Sequence, residues 1–308
     1  MSDFTSAKTS HRHGVISVLV ALPFVSLTGL FGKFLTFSPL LIVQGRTVFA
    51  FGALLLALFC LRKKIFFSDL REWLWLALSG SILGVHWIAF FQAIQVSTVA
   101  IGLLSFASYP LFTTLLEPLF FREPLRVRNV FAALIVICGL ALMATSSSDD
   151  SNTIISGSVF HGILWGLMAG FGFAVLTLLN RGHVRKHSAL LITCWQNGFA
   201  ALVILPWSLS ESWILSGKEL GLLFLLGVVC TVGGHTLLIN GLRHVRAQVA
   251  SLLIAGLEPV FAILFALILL GEVPSLQTLL GGVLIISTTV FIIYGTEQKE
   301  IPEQAVSK

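Results

Sequence analysis

The sequence predicts an all-α integral membrane protein of ten transmembrane helices, arranged as two inverted five-helix repeats. Three observations predict it. Hydrophobic residues make up 56% of the 308 positions and charged residues only 11%, whereas about a quarter charged is usual for a water-facing domain. Ten apolar runs reach the length that a hydrocarbon core demands, roughly 20 residues per helix. The second half of the chain also repeats the first.

The runs are 15–36, 39–61, 73–93, 98–121, 127–145, 159–179, 189–209, 220–241, 247–270 and 276–294. They are continuous rather than alternating with period two, which argues against a β-barrel. Residues 1–14 are polar and basic, and no small-residue cleavage site follows the first run, so they form a tail before a first span. The third and seventh spans are flanked by Trp73, Trp75, Trp207 and Trp213, read as interface anchors. The fourth and ninth spans carry mid-span prolines, Pro110 and Pro259, which remove a donor and kink the helix. The sixth span has Gly162, Gly166 and Gly170 at every fourth position, where a neighbouring helix of the same bundle packs closely. Cys60, Cys138, Cys194 and Cys230 are scattered through apolar runs and read as small packing residues, not as a disulfide or zinc framework.

Lys and Arg set the orientation. With the N-terminus inside, sixteen of the nineteen fall in cytoplasmic segments; Lys33 and Arg46 lie in spans, and Lys218 alone is in an outside loop. The linker 146–158 has two Asp and no basic residue, as a periplasmic linker would. Both termini, 1–14 and 295–308, are therefore expected in the cytoplasm. The pI of 9.2 comes from these loop clusters and implies anionic lipid headgroups rather than nucleic acid.

A slide of 149 residues matches Gly84 with Gly233, His86 with His235, Pro110 with Pro259 and Glu123 with Glu272. A slide of 150 places Arg46 over Gln196. Five spans is an odd number, so the second repeat, 159–294, inserts upside down relative to the first, 15–145. Inverted repeats are how many secondary transporters obtain two closures around one midplane site.

A helix with a mid-span Pro and then Glu at its end occurs twice, at Pro110 to Glu123 and at Glu258-Pro259 to Glu272. Together with Lys33, Pro39 and Arg46 in sequence, this resembles the EamA-type branch of the drug/metabolite transporter superfamily, over nearly the whole chain. The first-span Trp-Gly pair often seen there is absent; the text reads Leu27-Thr28-Gly29. The resemblance implies an inner-membrane carrier of a small polar or amphiphilic solute, with amino-acid exporters among its kin.

An ionisable group at the bilayer centre costs roughly 2.5–3.5 kcal/mol on insertion scales, so each should face a cavity or a partner. Arg46 either grips a carboxylate or phosphate of the solute or pairs with another helix. Lys33 is near the outer end, within snorkelling reach of water. His86 and His235 are placed pseudo-symmetrically and either bind solute or pack. Gln44, Gln196 and Asn197 bind either solute or neighbouring helices. Tyr109 precedes Pro110, and Trp165 flanks the Gly stripe; both are candidates to line the cavity. Glu258, the acidic residue nearest the middle of a span, is the proton-coupling candidate, whereas Glu117 reaches water and reads as structural.

All four Asp lie outside the spans, and no HExxH, P-loop or dinucleotide motif occurs. That excludes an aspartyl-type intramembrane protease and ATP hydrolysis by this chain, and no metal or cofactor is implied. The expectation is a secondary-active exporter of small metabolites such as amino acids. The other reading is uptake or exchange of a nucleotide-like or phosphorylated solute. Monomer and homodimer are both compatible with the sequence.

Overall fold

The computed structural model describes residues 2–121, 127–145, 157–184, 186–213, 216–245 and 247–297. The basic loop at 122–126, most of the linker 146–158 and the end of the tail 295–308 lie outside the described residues. So do Arg185, Arg246 and the side chain of Glu117.

Every regular element among the described residues is helical. Helix α1 spans Ser2–Phe34, α2 Pro39–Cys60 and α3 Leu70–Val96. The fourth apolar run is two helices, α4 Val99–Phe106 and α5 Tyr109–Phe121, followed by α6 Val127–Ala144. The second half holds α7 Gly157–His183, α8 Ala189–Ser208 and α9 Gly217–Phe224. A π-helical segment, Leu225–His235, continues into α10 Thr236–Gly241. Then come α11 Ala247–Leu270 and α12 Leu276–Glu297.

Helix starts follow local chemistry. The side chains of Ser38, Asp69, Thr98 and Ser188 each accept a first-turn amide, from Leu41, Arg71, Ile101 and Leu191. Ser216 and Glu219 form a reciprocal capping box at α9. Pro110 has no amide to donate, and the run 98–121 breaks just before it, at Ala107–Ser108. Pro259 has the equivalent repeat position, yet α11 runs on through it. Helix α1 begins at Ser2 rather than at the first apolar residue, so the polar stretch 2–14 is helical and continuous with the first span.

Eight segments among the described residues are long and apolar enough to cross a membrane: Arg12–Phe34, Pro39–Cys60, Leu70–Val96, Val99–Leu116, Gly157–His183, Ala189–Ser208, Gly217–Gly241 and Leu253–Leu270. Leu276–Thr288 is a shorter apolar helix. The outward faces carry exposed Leu56, Phe59, Ile137, Leu202, Ile268 and Val283. Such a surface is stable only against hydrocarbon, and helices that bond their own backbone satisfy its demands.

Inside, α2 lies along α8, and α3 along α7 and α8. Helix α1 contacts α11 and the π segment, α4 and α5 contact α7, and α6 pairs with α12. The α7 glycines face inward. A Cβ at Gly166 would lie 2.5 Å from that of Ser105, and one at Gly162 would collide with Ser97. Gly170 faces the Phe106 carbonyl, where a Cβ would sit 3.0 Å away. Their stripe therefore seats α7 on the α3–α4 corner within the chain. All four cysteines are free, with Cys194 and Cys230 buried.

Candidate functional site

Arg46 sits two turns into α2 and is 1% exposed. Its guanidinium is held on two sides. Nε and Nη2 donate to Thr231 Oγ1 at 3.2 and 2.8 Å, and the guanidinium carbon lies 3.6 Å from the centre of the Trp87 ring. Stacking on a buried indole and two hydrogen bonds offset part of the cost of burying the charge. The third nitrogen, Nη1, is buried without a hydrogen-bond partner. Such a donor is costly to leave unpaired, and a planar fork with a free end suits a carboxylate.

Trp87 is the centre of the arrangement. His86 and His235 lie on either side in the contact network, with ring centroids 4.8 and 5.6 Å from Trp87. His86 Nδ1 is 2.8 Å from the Ala169 carbonyl, which only accepts, so Nδ1 carries the proton. Neither His235 Nδ1 nor Trp87 Nε1 has a hydrogen-bond partner. Phe90, Phe106 and Phe173 pack tilted against His86, and Phe106 meets Phe90 and Phe173 edge-on.

Glu258, on α11, is 2% exposed and lines one small cavity with His86, Trp87, His235, Phe106 and Phe173. Its backbone carbonyl accepts the Ser26 hydroxyl at 3.2 Å, but no ion pair within 4.0 Å joins its carboxyl to Arg46. The cavity is about 10 Å³, near the minimum for one water. Larger openings lie at the two ends of the bundle. One of about 760 Å³ is lined by Asp69, Glu72, Arg181 and His183, and one of about 240 Å³ by Thr98, Glu272, Ser275 and Thr278. Neither is lined by Arg46, His86, His235 or Glu258.

Polar ties close both ends. Where α1 finishes, Thr36 donates to Glu219, Ser38 to Glu211 and Gln95 to the Phe37 carbonyl. Lys33 donates to the Ser97 carbonyl at 2.7 Å and lies 4.0 Å from Glu272, whose other oxygen accepts the Val99 amide. Lys33 is thus held by the chain's own acceptors where snorkelling was expected. At the opposite end Glu72 meets His183, His187 and Lys186 at 3.2, 3.5 and 3.9 Å. There Trp195 also donates to the Ile65 carbonyl, and Arg243 to those of Val184 and His187.

Of the residues singled out from sequence, Arg46 stacks on Trp87, while His86, His235 and Glu258 join Trp87 in lining the small cavity. Tyr109 is fully buried just behind it, stacked on Phe106 at 5.2 Å and edge-on to Phe173 at 4.8 Å. Gln196 donates to Asn180 and Ser79, joining α8 to α7 and α3. Asn197 donates to the Thr193 carbonyl. Gln44 lines an apolar groove with Phe49, Leu209 and Trp213 and has an unpartnered Oε1. Trp165 is half-buried against the core on α7. Sequence reading missed Trp87 and Thr231. Trp87 did carry a signal, being a Trp in mid-span while Trp73, Trp75, Trp207 and Trp213 cluster at span ends. Thr231 carried none. No group of three or more His, Cys, Asp or Glu among the described residues is arranged to hold a metal.

The model of the EamA-like transporter family matches residues 12–145 and 160–294, one copy in each half. An uncharacterized transporter of Bacillus subtilis (strain 168) is 27% identical over 67% of this chain and 65% of its own length. An S-adenosylmethionine uptake transporter of Rickettsia prowazekii (strain Madrid E) is 31% identical over 67% of this chain and 66% of its own. The chain thus spans about two thirds of the length of these relatives. A solved crystal structure matches with a TM-score of 0.64 at 16% identity, covering 92% of this chain and 95% of that one, a likeness of fold alone.

Proposed function

The chain belongs to the EamA-like transporter family, and from that membership we propose that it is a secondary-active carrier of small zwitterionic metabolites with an amino-acid head. The observation that carries this is the buried Arg46 guanidinium, whose Nη1 has no protein partner. In this reading Arg46 takes the solute carboxylate. Glu258 is the proton-coupling group, and His86 and His235 complete the polar lining. Tyr109 and Trp165 back the wall, while Gln44 and Gln196 act at its margins.

The same reading has ten spans in two inverted repeats in the inner membrane, both termini cytoplasmic. The packing supports it: the contacts of α1 with α11 and of α3 with α7 have counterparts in α7 with α4–α5 and in the π segment with α1. Such symmetry lets one half rock against the other, so that the ties at the two ends break in turn. A cavity of about 10 Å³ between two tied ends fits an occluded stage of that cycle. Export of amino acids is the first reading. Uptake of a nucleoside-bearing amino acid is the second, favoured by the Rickettsia relatives named as S-adenosylmethionine uptake transporters.

The test is a flux screen in proteoliposomes across radiolabelled amino acids, S-adenosylmethionine and nucleotides. Saturable flux of carboxylate-bearing amino-acid solutes is expected. Equal flux of solutes with and without a carboxylate, or none of any, would sink the reading.

A further inference from the structure

The π-helical segment reaches α2 along one face. Gly227, Thr231 and His235 recur at every fourth residue of it. Gly227 lets the backbones meet at Arg46 itself: a Cβ there would lie 2.7 Å from the Arg46 carbonyl oxygen and 2.7 Å from the Phe49 Cβ. One turn on, Thr231 meets the guanidinium, and a turn later His235 packs near Trp87.

The Thr231 hydroxyl has one hydrogen, and it is spent. Oγ1 donates to the Leu226 carbonyl, five residues back, at 2.8 Å. That leaves only lone pairs toward Arg46, so Oγ1 serves as acceptor for both Nε and Nη2. These two donors form one edge of the guanidinium, while Trp87 fixes its plane from the face. What remains at the end of the fork is one Nη1 hydrogen and the second Nη2 hydrogen, side by side and spaced to meet two carboxylate oxygens.

We propose that Thr231 is the positioning residue of the anion site, fixing Arg46 so that its Nη1–Nη2 end faces the carboxylate of the solute. This rests on the reading of Arg46 as the carboxylate-binding group. It makes Thr231 a determinant of selectivity for solutes with a carboxylate over those without. The bonding of the Thr231 hydroxyl to a carbonyl five residues back, within the π register, is what aims it.

The experiment uses the full chain in proteoliposomes, with S-adenosylmethionine and its decarboxylated analogue as probes. Wild type is expected to favour S-adenosylmethionine, by KM. Thr231→Val keeps the shape but removes the acceptor, so the preference should shrink about tenfold, through KM and with turnover retained. Thr231→Ser should keep it. Thr231→Ala, which also lacks the acceptor and is smaller, is the second variant should Val fail to insert. If Thr231→Val or Thr231→Ala slows both probes alike, or Thr231→Ser loses the preference too, Thr231 is structural and the proposal is overturned while the reading of Arg46 stands. If wild type itself shows no preference, the reading of Arg46 fails and takes the proposal with it.

Discussion

Replacing Arg46 with Lys keeps the charge and removes the planar fork. The structure sets the size of the effect. The Nη1–Nη2 end offers a carboxylate two charge-assisted hydrogen bonds, and an ammonium in the same place directs one. Losing a hydrogen bond to a charged group costs about 1.5–3 kcal/mol, so KM should rise about 10- to 150-fold. Lys also cannot stack flat on Trp87 or bond Thr231 through two nitrogens, so its ammonium is less well placed. The assay is initial-rate flux into proteoliposomes, with membrane insertion checked separately. Arg46→Gln, which places at 46 the residue already found at the repeat-equivalent Gln196, should lose saturable flux. A KM within twofold of wild type for Arg46→Lys, or normal transport by Arg46→Gln, would show that Arg46 serves packing and that the carboxylate assignment is wrong.

Glu258→Gln keeps shape and hydrogen bonding but cannot exchange a proton; it should retain solute exchange and lose accumulation driven by a pH gradient. Accumulation that persists in this variant would rule out coupling through Glu258. Gly166→Ala puts a Cβ 2.5 Å from that of Ser105, so detergent-solubilised protein should lose about 1–3 kcal/mol of stability and melt earlier. Gly182→Ala, with nothing within 4 Å of the added carbon, is the control, and equal melting of the two would refute the packing assigned to α7. A cysteine replacing Asp149 should react with an impermeant maleimide from outside and one replacing Arg126 should not; the reverse pattern would defeat the proposed topology.

What the sequence revealed and what it concealed divide along physical lines. Apolar run length and the repeat are chain-local properties, and they located the helices and the equivalence of His86 with His235. Buried charges are expensive, so Arg46 and Glu258 were visible as residues that needed a reason to be there. Partners across helices were not legible. Nothing in the run 220–241 announces a π register, so Thr231 passed as an ordinary small residue. Gln196 was open in sequence to solute or to neighbouring helices, and its bonds to Asn180 and Ser79 depend on how α8 meets α7 and α3. The two mid-span prolines look alike in sequence. Yet Pro110 follows a break between α4 and α5 while Pro259 lies within a continuous helix. Lys33 shows the same limit: its reach toward water was evident from position, whereas its acceptor, the Ser97 carbonyl, comes from another helix end.

A carrier of the proposed kind exposes one carboxylate-binding site alternately to the two sides of a membrane. Counterflow tests it most directly. Proteoliposomes are loaded with unlabelled S-adenosylmethionine or an amino acid identified by the flux screen, and diluted into a trace of the labelled solute without any ion gradient or ATP. Transient accumulation of label above equilibrium is expected, driven by internal solute and absent with Arg46→Gln. Label that enters at the same rate from empty and loaded vesicles, without overshoot, would contradict it and point to a pore.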